Sequence, residues 1–156
     1  MEKKFILTDK FVINSFGIKL FQIKCTKSFK YAKEGDLGGY VEKDENLDQE
    51  SDAWVYGNAR VYGDAEVYGD ARVYGNAEID NNNKHCGFDC FGSANRHTHA
   101  YLTKENKVEI TCGCFRGSIE EFEKRVEETH SGTIYEKQYK AIIDVIKIKF
   151  GLTDLI

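Results

Sequence analysis

Hydrophobic and polar positions repeat with a period of six between residues 53 and 82. Alanine opens each hexad, an aliphatic residue follows two positions later, and glycine followed by Asn or Asp closes most of the hexads. This period matches neither an α-helix of about 3.6 residues per turn nor an uninterrupted strand. It predicts short strands joined at glycine corners, with the alanine and aliphatic side chains inside. The aliphatic positions are Val55, Val61, Val67, Val73 and Ile79.

The repeat continues towards the N terminus in a weaker form. Steps of six back from Ala53 reach Leu47 and Val41, so the predicted repeat segment is residues 41–82. Ahead of it, residues 4–31 alternate apolar and polar side chains around turn signals, which predicts an antiparallel β-hairpin. We expect residues 1–40 to form an N-terminal hairpin cap, because a repeat stack this short cannot bury its own ends.

The pattern changes again in the C-terminal segment, residues 83–156. Alternation in His97–Thr103 and Lys107–Cys112 predicts a second hairpin. Ser118, followed three residues later by a glutamate, forms a capping box, so a helix is predicted from there to about Glu128. Apolar residues at helical spacing predict a second helix that ends near residue 150. A hairpin plus two α-helices is therefore expected after the repeat.

The hexads resemble those of the hexapeptide-repeat family, in which an aliphatic residue is followed four positions later by a small one, as in Val55 and Ala59. The resemblance implies a left-handed parallel β-helix with three hexads, and so 18 residues, in each coil. The expected fold class is mainly β: a short β-helix between the N-terminal hairpin and the C-terminal module. Residues 18 apart should then stack, with Glu42 beside Arg60 and Asp48 beside Glu66 as charge ladders.

Aromatic and arginine side chains are predicted to lie outside such a coil, because its interior has room only for aliphatic and small residues. Trp54 is expected beside Arg72 as a cation–π pair, and Tyr56 is expected to stack on Tyr74. One interpretation is that these rings only cover the corners. The other is a partner-binding surface, since tyrosine and arginine are favoured at interfaces. The candidate binding residues are Trp54, Tyr56, Arg60, Tyr62, Tyr68, Arg72 and Tyr74.

Charge and composition narrow the classes of function. The chain carries 22 basic and 26 acidic side chains, a net charge of −4, which argues against a protein whose whole surface binds nucleic acid. There is no apolar run of about 18 residues, and the apolar residues 5–7 meet Thr8 too soon for a signal peptide. Five cysteines, an odd number, are expected to be reduced thiols. We expect a cytoplasmic protein.

Two histidines are the candidates for catalysis. His97 and His99 alternate along a predicted strand and so lie on the same face of it. They could act as acid and base on a ribose hydroxyl and a leaving oxygen, with Lys104, Lys107 or Arg116 holding the phosphate. The alternative is that two histidines on an exposed hairpin are inert.

The same segment contains seven histidine and cysteine side chains within about thirty residues, which raises the question of zinc. A zinc site needs four ligands that converge on the ion. Neither Cys86 and Cys90 nor Cys112 and Cys114 have the two-residue spacing of a zinc knuckle. We therefore expect no metal and no other cofactor, and interpret these side chains as buried thiols and surface histidines.

The ends of the chain carry a second resemblance. Gly35–Glu42, the Val-Tyr-Gly-Asn/Asp-Ala repeats, and Cys112–Gly117 with Phe122, Val126 and Tyr135 look like a family of short proteins from bacteriophages and mobile elements of Gram-positive hosts. Some similar proteins are anti-CRISPR proteins directed at Cas9, and one of them is linked to truncation of the guide RNA. The resemblance implies a counter-defence protein that binds Cas9 with its guide RNA in the bacterial cytoplasm.

Two other classes of function remain open from the sequence. One is a homotrimeric structural module of a phage, in which the tyrosines form the contact between copies. The other is an acyltransferase, which some hexapeptide-repeat proteins are. The repeats contain no histidine, however, and no Gly-rich phosphate loop or nucleophile elbow is present.

Overall fold

The computed structural model describes residues 2–152. The chain divides into two compact units, Met1–Asn82 and Asn83–Ile156. The division lies where the hexad pattern ends. The N-terminal strands and the repeat belong to the first unit, and an antiparallel sheet with two helices forms the second.

Three strands precede the repeat: β1 (Phe5–Ile13), β2 (Lys19–Cys25) and β3 (Leu37–Val41). The predicted N-terminal hairpin is confirmed, since β1 and β2 are antiparallel neighbours. Asn14 fixes the turn between them, because its side-chain oxygen accepts hydrogen bonds from the backbone N–H groups of Phe16 and Ile18 at 2.9 and 3.0 Å. Strand β3 then pairs antiparallel with β2.

The repeat forms four strands of two residues each: β4 (Trp54–Val55), β5 (Arg60–Val61), β6 (Arg72–Val73) and β7 (Glu78–Ile79). Strand β4 pairs parallel with β6, and β5 with β7, so residues 18 apart are neighbours as predicted. The glycine corners are confirmed, because Gly57, Gly63, Gly69 and Gly75 have φ between 57° and 72°. The repeat alanines and aliphatic residues are buried.

The expected architecture, a separate left-handed parallel β-helix with a hairpin cap, is wrong. The strands form mixed sheets instead: a five-stranded sheet in the order β1-β2-β3-β5-β7, and a two-stranded sheet of β4 and β6. The physical reason is that β3 presents one edge to the antiparallel β2 and the other to the parallel β5, so that hairpin and repeat share one sheet. Two-residue strands interrupted by corners also form only short parallel pairs. The mainly-β character holds.

The register at the start of the repeat also differs from the prediction. Val41 pairs with Val61, and Leu47 forms a bridge with Val67, so the spacing there is 20 residues rather than 18. Consequently Glu42 does not lie opposite Arg60, and Asp48 does not lie opposite Glu66. A short 3-10 helix, Asp44–Asn46, takes up the extra residues. Buried Asn46 fixes it, donating from its side-chain amide to the backbone oxygens of residues 63 and 65 at 3.2 and 2.9 Å.

The second unit starts with a 3-10 turn, Asn82–Lys84, and four antiparallel strands: β8 (His85–Phe91), β9 (Arg96–Leu102), β10 (Val108–Cys112) and β11 (Phe115–Ser118). The predicted hairpin of β9 and β10 is confirmed. Strands β8 and β11 were not predicted. Both contain glycine, which weakens the strand signal, and β11 has only four residues.

Two helices complete the second unit: α1 (Ile119–His130) and α2 (Ile134–Lys149). The predicted capping box is present, since the Ser118 hydroxyl accepts from the Glu121 N–H and the Glu121 carboxylate accepts from the Ser118 N–H. Helix α1 continues two residues beyond the predicted end. The apolar sides of both helices are buried with one face of the sheet, in a core that includes Ile110, Phe115, Phe122, Val126, Tyr139, Ile142, Ile143 and Ile146.

Candidate functional site

Two of the seven predicted binding residues lie in the core of the first unit. Trp54 is 1% exposed, and its ring packs edge-on against Phe5 and Phe29, with centroid distances of 6.3 and 5.3 Å. Tyr62 is 3% exposed, packs with Leu20, and donates its hydroxyl to Glu78 at 3.1 Å. The prediction that these two rings are exposed is wrong. The N-terminal strands of the shared sheet supply side chains that cover them, which a separate β-helix would not have.

Tyr56, Tyr74 and Arg72 lie at half-buried positions of the repeat. The predicted stack of Tyr56 on Tyr74 is confirmed, with centroids 4.0 Å apart and planes inclined by 5°. Partial burial and a hydrogen bond with Tyr74 raise the pKa of Tyr56. Arg72 is Trp54's backbone partner, but its guanidinium lies over the ring of Tyr31 at 5.0 Å instead of forming the predicted pair with Trp54. This cluster is satisfied internally and serves the packing of the repeat.

Arg60 and Tyr68 occupy two further positions of the repeat. Arg60 pairs in register with Glu78, as the 18-residue spacing predicted. Tyr68 is 64% exposed, the most exposed of the seven predicted binding residues. It lines an open groove of about 580 Å³ in the first unit, together with Leu47 and Val67.

Acidic side chains dominate the rest of this groove, which we call the acidic groove. Lys3 forms an ion pair with Asp44 at 2.8 Å. Within residues 2–152, no other lysine or arginine lies within ion-pair distance of the groove's carboxylates. The groove therefore carries a concentrated negative charge next to an exposed phenol ring. Its five acidic residues are Asp44, Glu45, Asp48, Glu50 and Glu66.

The two predicted catalytic histidines lie together on β9, in a chain of hydrogen bonds that runs across to β8. Asp89 Oδ1 and His97 Nδ1 are 2.5 Å apart. His97 Nε2 and His99 Nδ1 are 2.9 Å apart, and so are His99 Nε2 and His85 Nδ1. We call these four side chains the histidine chain. All are on one face of the sheet, because His99 pairs in register with Gly87 and positions two residues apart share a face.

The hydrogen bonds fix the protons of the histidine chain. An ionised Asp89 accepts from Nδ1–H of His97, whose Nε2 then accepts from Nδ1–H of His99. His99 Nε2 in turn accepts from Nδ1–H of His85. Burial lowers the pKa of His85 to about 4 and that of His99 well below its usual value, so these two rings are neutral at pH 7.

This arrangement does not support the predicted acid–base role. Both nitrogens of His97 and both nitrogens of His99 are bonded within the chain, which leaves neither ring a nitrogen for a substrate hydroxyl. The predicted phosphate ligand Arg116 bonds Glu109 through Nε at 2.9 Å. Lys104 and Lys107 are exposed beside the turn between β9 and β10.

Gly87 gives the histidine chain its space. A Cβ at this position would lie 2.5 Å from Cε1 of His97 and 2.8 Å from Nδ1 of His99, closer than a side chain can approach. The sequence analysis missed the roles of His85 and Asp89. Their signal was the alternation His85-x-Gly87-x-Asp89, which places all three on the face that pairs with His97 and His99.

Metal binding finds no site in the described part of the chain. No group of three or more histidine, cysteine or acidic side chains within residues 2–152 is arranged to hold an ion. The three histidines point ring nitrogens at one another at hydrogen-bond distance, whereas metal ligands point theirs at one common centre. Cys112 is buried, whereas Cys90 and Cys114 are exposed.

Neither helix in residues 2–152 is long and apolar enough to cross a lipid bilayer. Comparison with known proteins gives no relative for this chain: no protein-family model matches it, and no curated protein is significantly similar to it in sequence.

Proposed function

We propose that this protein is a non-catalytic binding protein of the phage counter-defence type, which inhibits Cas9 loaded with guide RNA. The acidic groove is the observation that carries the proposal. The resemblance of the repeats and of the Cys112–Gly117 segment to phage proteins supports the class of target. The groove supports the way in which such a target is bound.

The chemistry of the acidic groove suits a basic protein surface. Four of its five carboxylates have no lysine or arginine partner within residues 2–152. The groove is open, and Tyr68 provides an exposed aromatic contact of the kind found at interaction hot spots. Cas9 holds its nucleic acids in a positively charged channel, so a negatively charged partner can compete there. Complementary charge also accelerates association and favours the correct partner.

The histidine chain supports inhibition without bond breaking. A nuclease that used His97 and His99 would need one ring to accept a proton from the ribose hydroxyl and the other to protonate the leaving oxygen. Their nitrogens are instead occupied, and the neutral charge of His99 gives no attraction for phosphate. We therefore propose that the guide RNA keeps its length in the inhibited complex.

Inhibition of DNA cleavage by purified guide-loaded Cas9 tests the proposal. Wild-type protein in molar excess should abolish cleavage. A fourfold groove variant that keeps the side-chain shapes but removes their charge should require at least tenfold more protein, since each charged contact contributes roughly 0.2–1 kcal/mol. The groove variant combines Glu45→Gln, Asp48→Asn, Glu50→Gln and Glu66→Gln.

A charge-matched control separates the groove from the net charge of the protein. Four exposed acidic residues outside the groove, with no ion pair within residues 2–152, are neutralised in the control variant: Asp9→Asn, Glu105→Gln, Glu128→Gln and Asp144→Asn. This variant should inhibit like the wild type. Full cleavage at a large excess of wild-type protein, or equal inhibition by the groove variant, would refute the proposal.

A further inference from the structure

A cleft in the second unit is lined by basic and neutral side chains only. It has a volume of about 210 Å³ and lies between the strand β10–β11 turn and the helices. None of the described residues that line it is aspartate or glutamate, although the chain as a whole has more acidic than basic residues. The polar lining includes Arg96, Arg125, His130, Thr129 and Ser93. This composition suits an anion.

The two arginines of the cleft are held in place without a carboxylate. A Cβ built on Gly113 would lie 1.8 Å from Nη1 of Arg96, so this guanidinium lies directly against the backbone of the β10–β11 turn. The guanidinium of Arg125 lies over the ring of Phe115 at 5.5 Å. Neither forms an ion pair within residues 2–152. Both positive charges are therefore available to a ligand in the cleft.

The floor of the cleft supplies neutral groups and aromatic rings. The Tyr139 hydroxyl and Cys112 Sγ are 3.7 Å apart, and the Thr98 hydroxyl donates to the same sulfur at 3.2 Å. Burial raises the pKa of Tyr139, so its hydroxyl stays protonated. The ring of His130 stacks on that of Tyr139 at 5.6 Å. No group on this floor adds a negative charge at neutral pH that would repel an anion.

We propose that the cleft binds the terminal phosphomonoester of a nucleotide, with the phosphoryl oxygens held by Arg96 and Arg125. Two guanidiniums offer pairs of parallel N–H donors, which match the several oxygens of a phosphoryl group better than the two of a carboxylate. The volume is smaller than the roughly 300 Å³ at which pockets for whole drug-sized ligands begin. It therefore accommodates the phosphate with part of its substituent, for which the phenylalanine rings of the lining offer a stacking surface.

Titration calorimetry with adenosine 5′-monophosphate, inorganic phosphate and adenosine tests this site. Adenosine 5′-monophosphate should bind, inorganic phosphate should bind more weakly, and adenosine should not bind. Arg96→Gln and Arg125→Gln should each weaken nucleotide binding by roughly 10- to 100-fold, the usual cost of losing a hydrogen bond to a charged group. Lys124→Gln, next to Arg125 on the same helix, is the matched control and should bind like the wild type.

Thiol alkylation of the wild-type protein gives a second readout that needs no variant. Cys114 lines the cleft and is exposed, whereas Cys90 is exposed and lies outside its lining. Saturating nucleotide should slow alkylation of Cys114 at least threefold and leave Cys90 unchanged, as measured by peptide mass spectrometry. Absence of binding at millimolar nucleotide, equal binding of adenosine, or equal protection of both thiols would overturn the proposal. None of these results depends on Cas9, so this site and the proposed function fail separately.

Discussion

Replacing Trp54 by alanine tests the placement of this ring in the core of the first unit. Trp54 is 1% exposed and lies between Phe5 and Phe29. Truncation of a buried tryptophan or phenylalanine to alanine costs about 3–5 kcal/mol, of which each lost aromatic pair accounts for about 0.5–1.5 kcal/mol. A chain of this size is stable by about 5–15 kcal/mol. Trp54→Ala should therefore remove a large part of the stability of its unit.

Urea denaturation followed by far-UV circular dichroism measures this loss. Circular dichroism is needed because Trp54 is the only tryptophan, so the variant has no tryptophan fluorescence. Tyr68→Ala, at an exposed position of the same repeat, is the control and should change the unfolding free energy by no more than about 0.5 kcal/mol. A Trp54→Ala variant as stable as the control would show that the ring is not packed between the phenylalanines, and the core described here would be incorrect.

Three further predictions concern the second unit. Because the pKa of His85 is about 4 in the folded state and about 6.5 when unfolded, the unfolded chain binds more protons between these values; stability should fall as the pH drops from about 6.5 to 4. His85→Gln should reduce that dependence in urea titrations at several pH values, and an unchanged slope would contradict the assignment. Gly87→Ala should cost about 1–3 kcal/mol by forcing the histidine rings apart, and new histidine chemical shifts should accompany the loss; unchanged shifts and stability would show that the rings are not packed there. Ser118→Ala should cost about 1 kcal/mol through loss of the N-cap of α1, whereas Ser131→Ala, beyond its other end, should cost much less in the same thermal melts; equal costs would contradict the cap.

The hexad pattern predicted local structure in the repeat well, but not the architecture around it. Alanine and valine at fixed positions are buried because only one register places them inside, and each glycine corner follows from positive φ. The pattern contains no information on which strand pairs with the free edge of β3. The register shift near Asn46 was also invisible, because a buried amide that bonds two backbone oxygens has no signature in hydrophobic periodicity.

Side-chain chemistry was predicted less completely than the strands and helices. Ser118 and Glu121 were found from sequence because a capping box depends on residues three apart. The histidine chain depends on pairing between β8 and β9, which joins residues far apart in sequence, so Asp89 and His85 were missed. Trp54 was placed outside because the interior of a coil was considered alone, without the phenylalanines of the N-terminal strands.

The affinity of the full-length protein for guide-loaded Cas9, measured at several salt concentrations, tests the central claim most directly. The account predicts that binding weakens as salt rises, that the groove variant binds at least tenfold more weakly than the charge-matched control, and that the guide RNA recovered from the complex has its full length. Binding that is independent of salt and equal for both variants, or a shortened guide RNA, would contradict it.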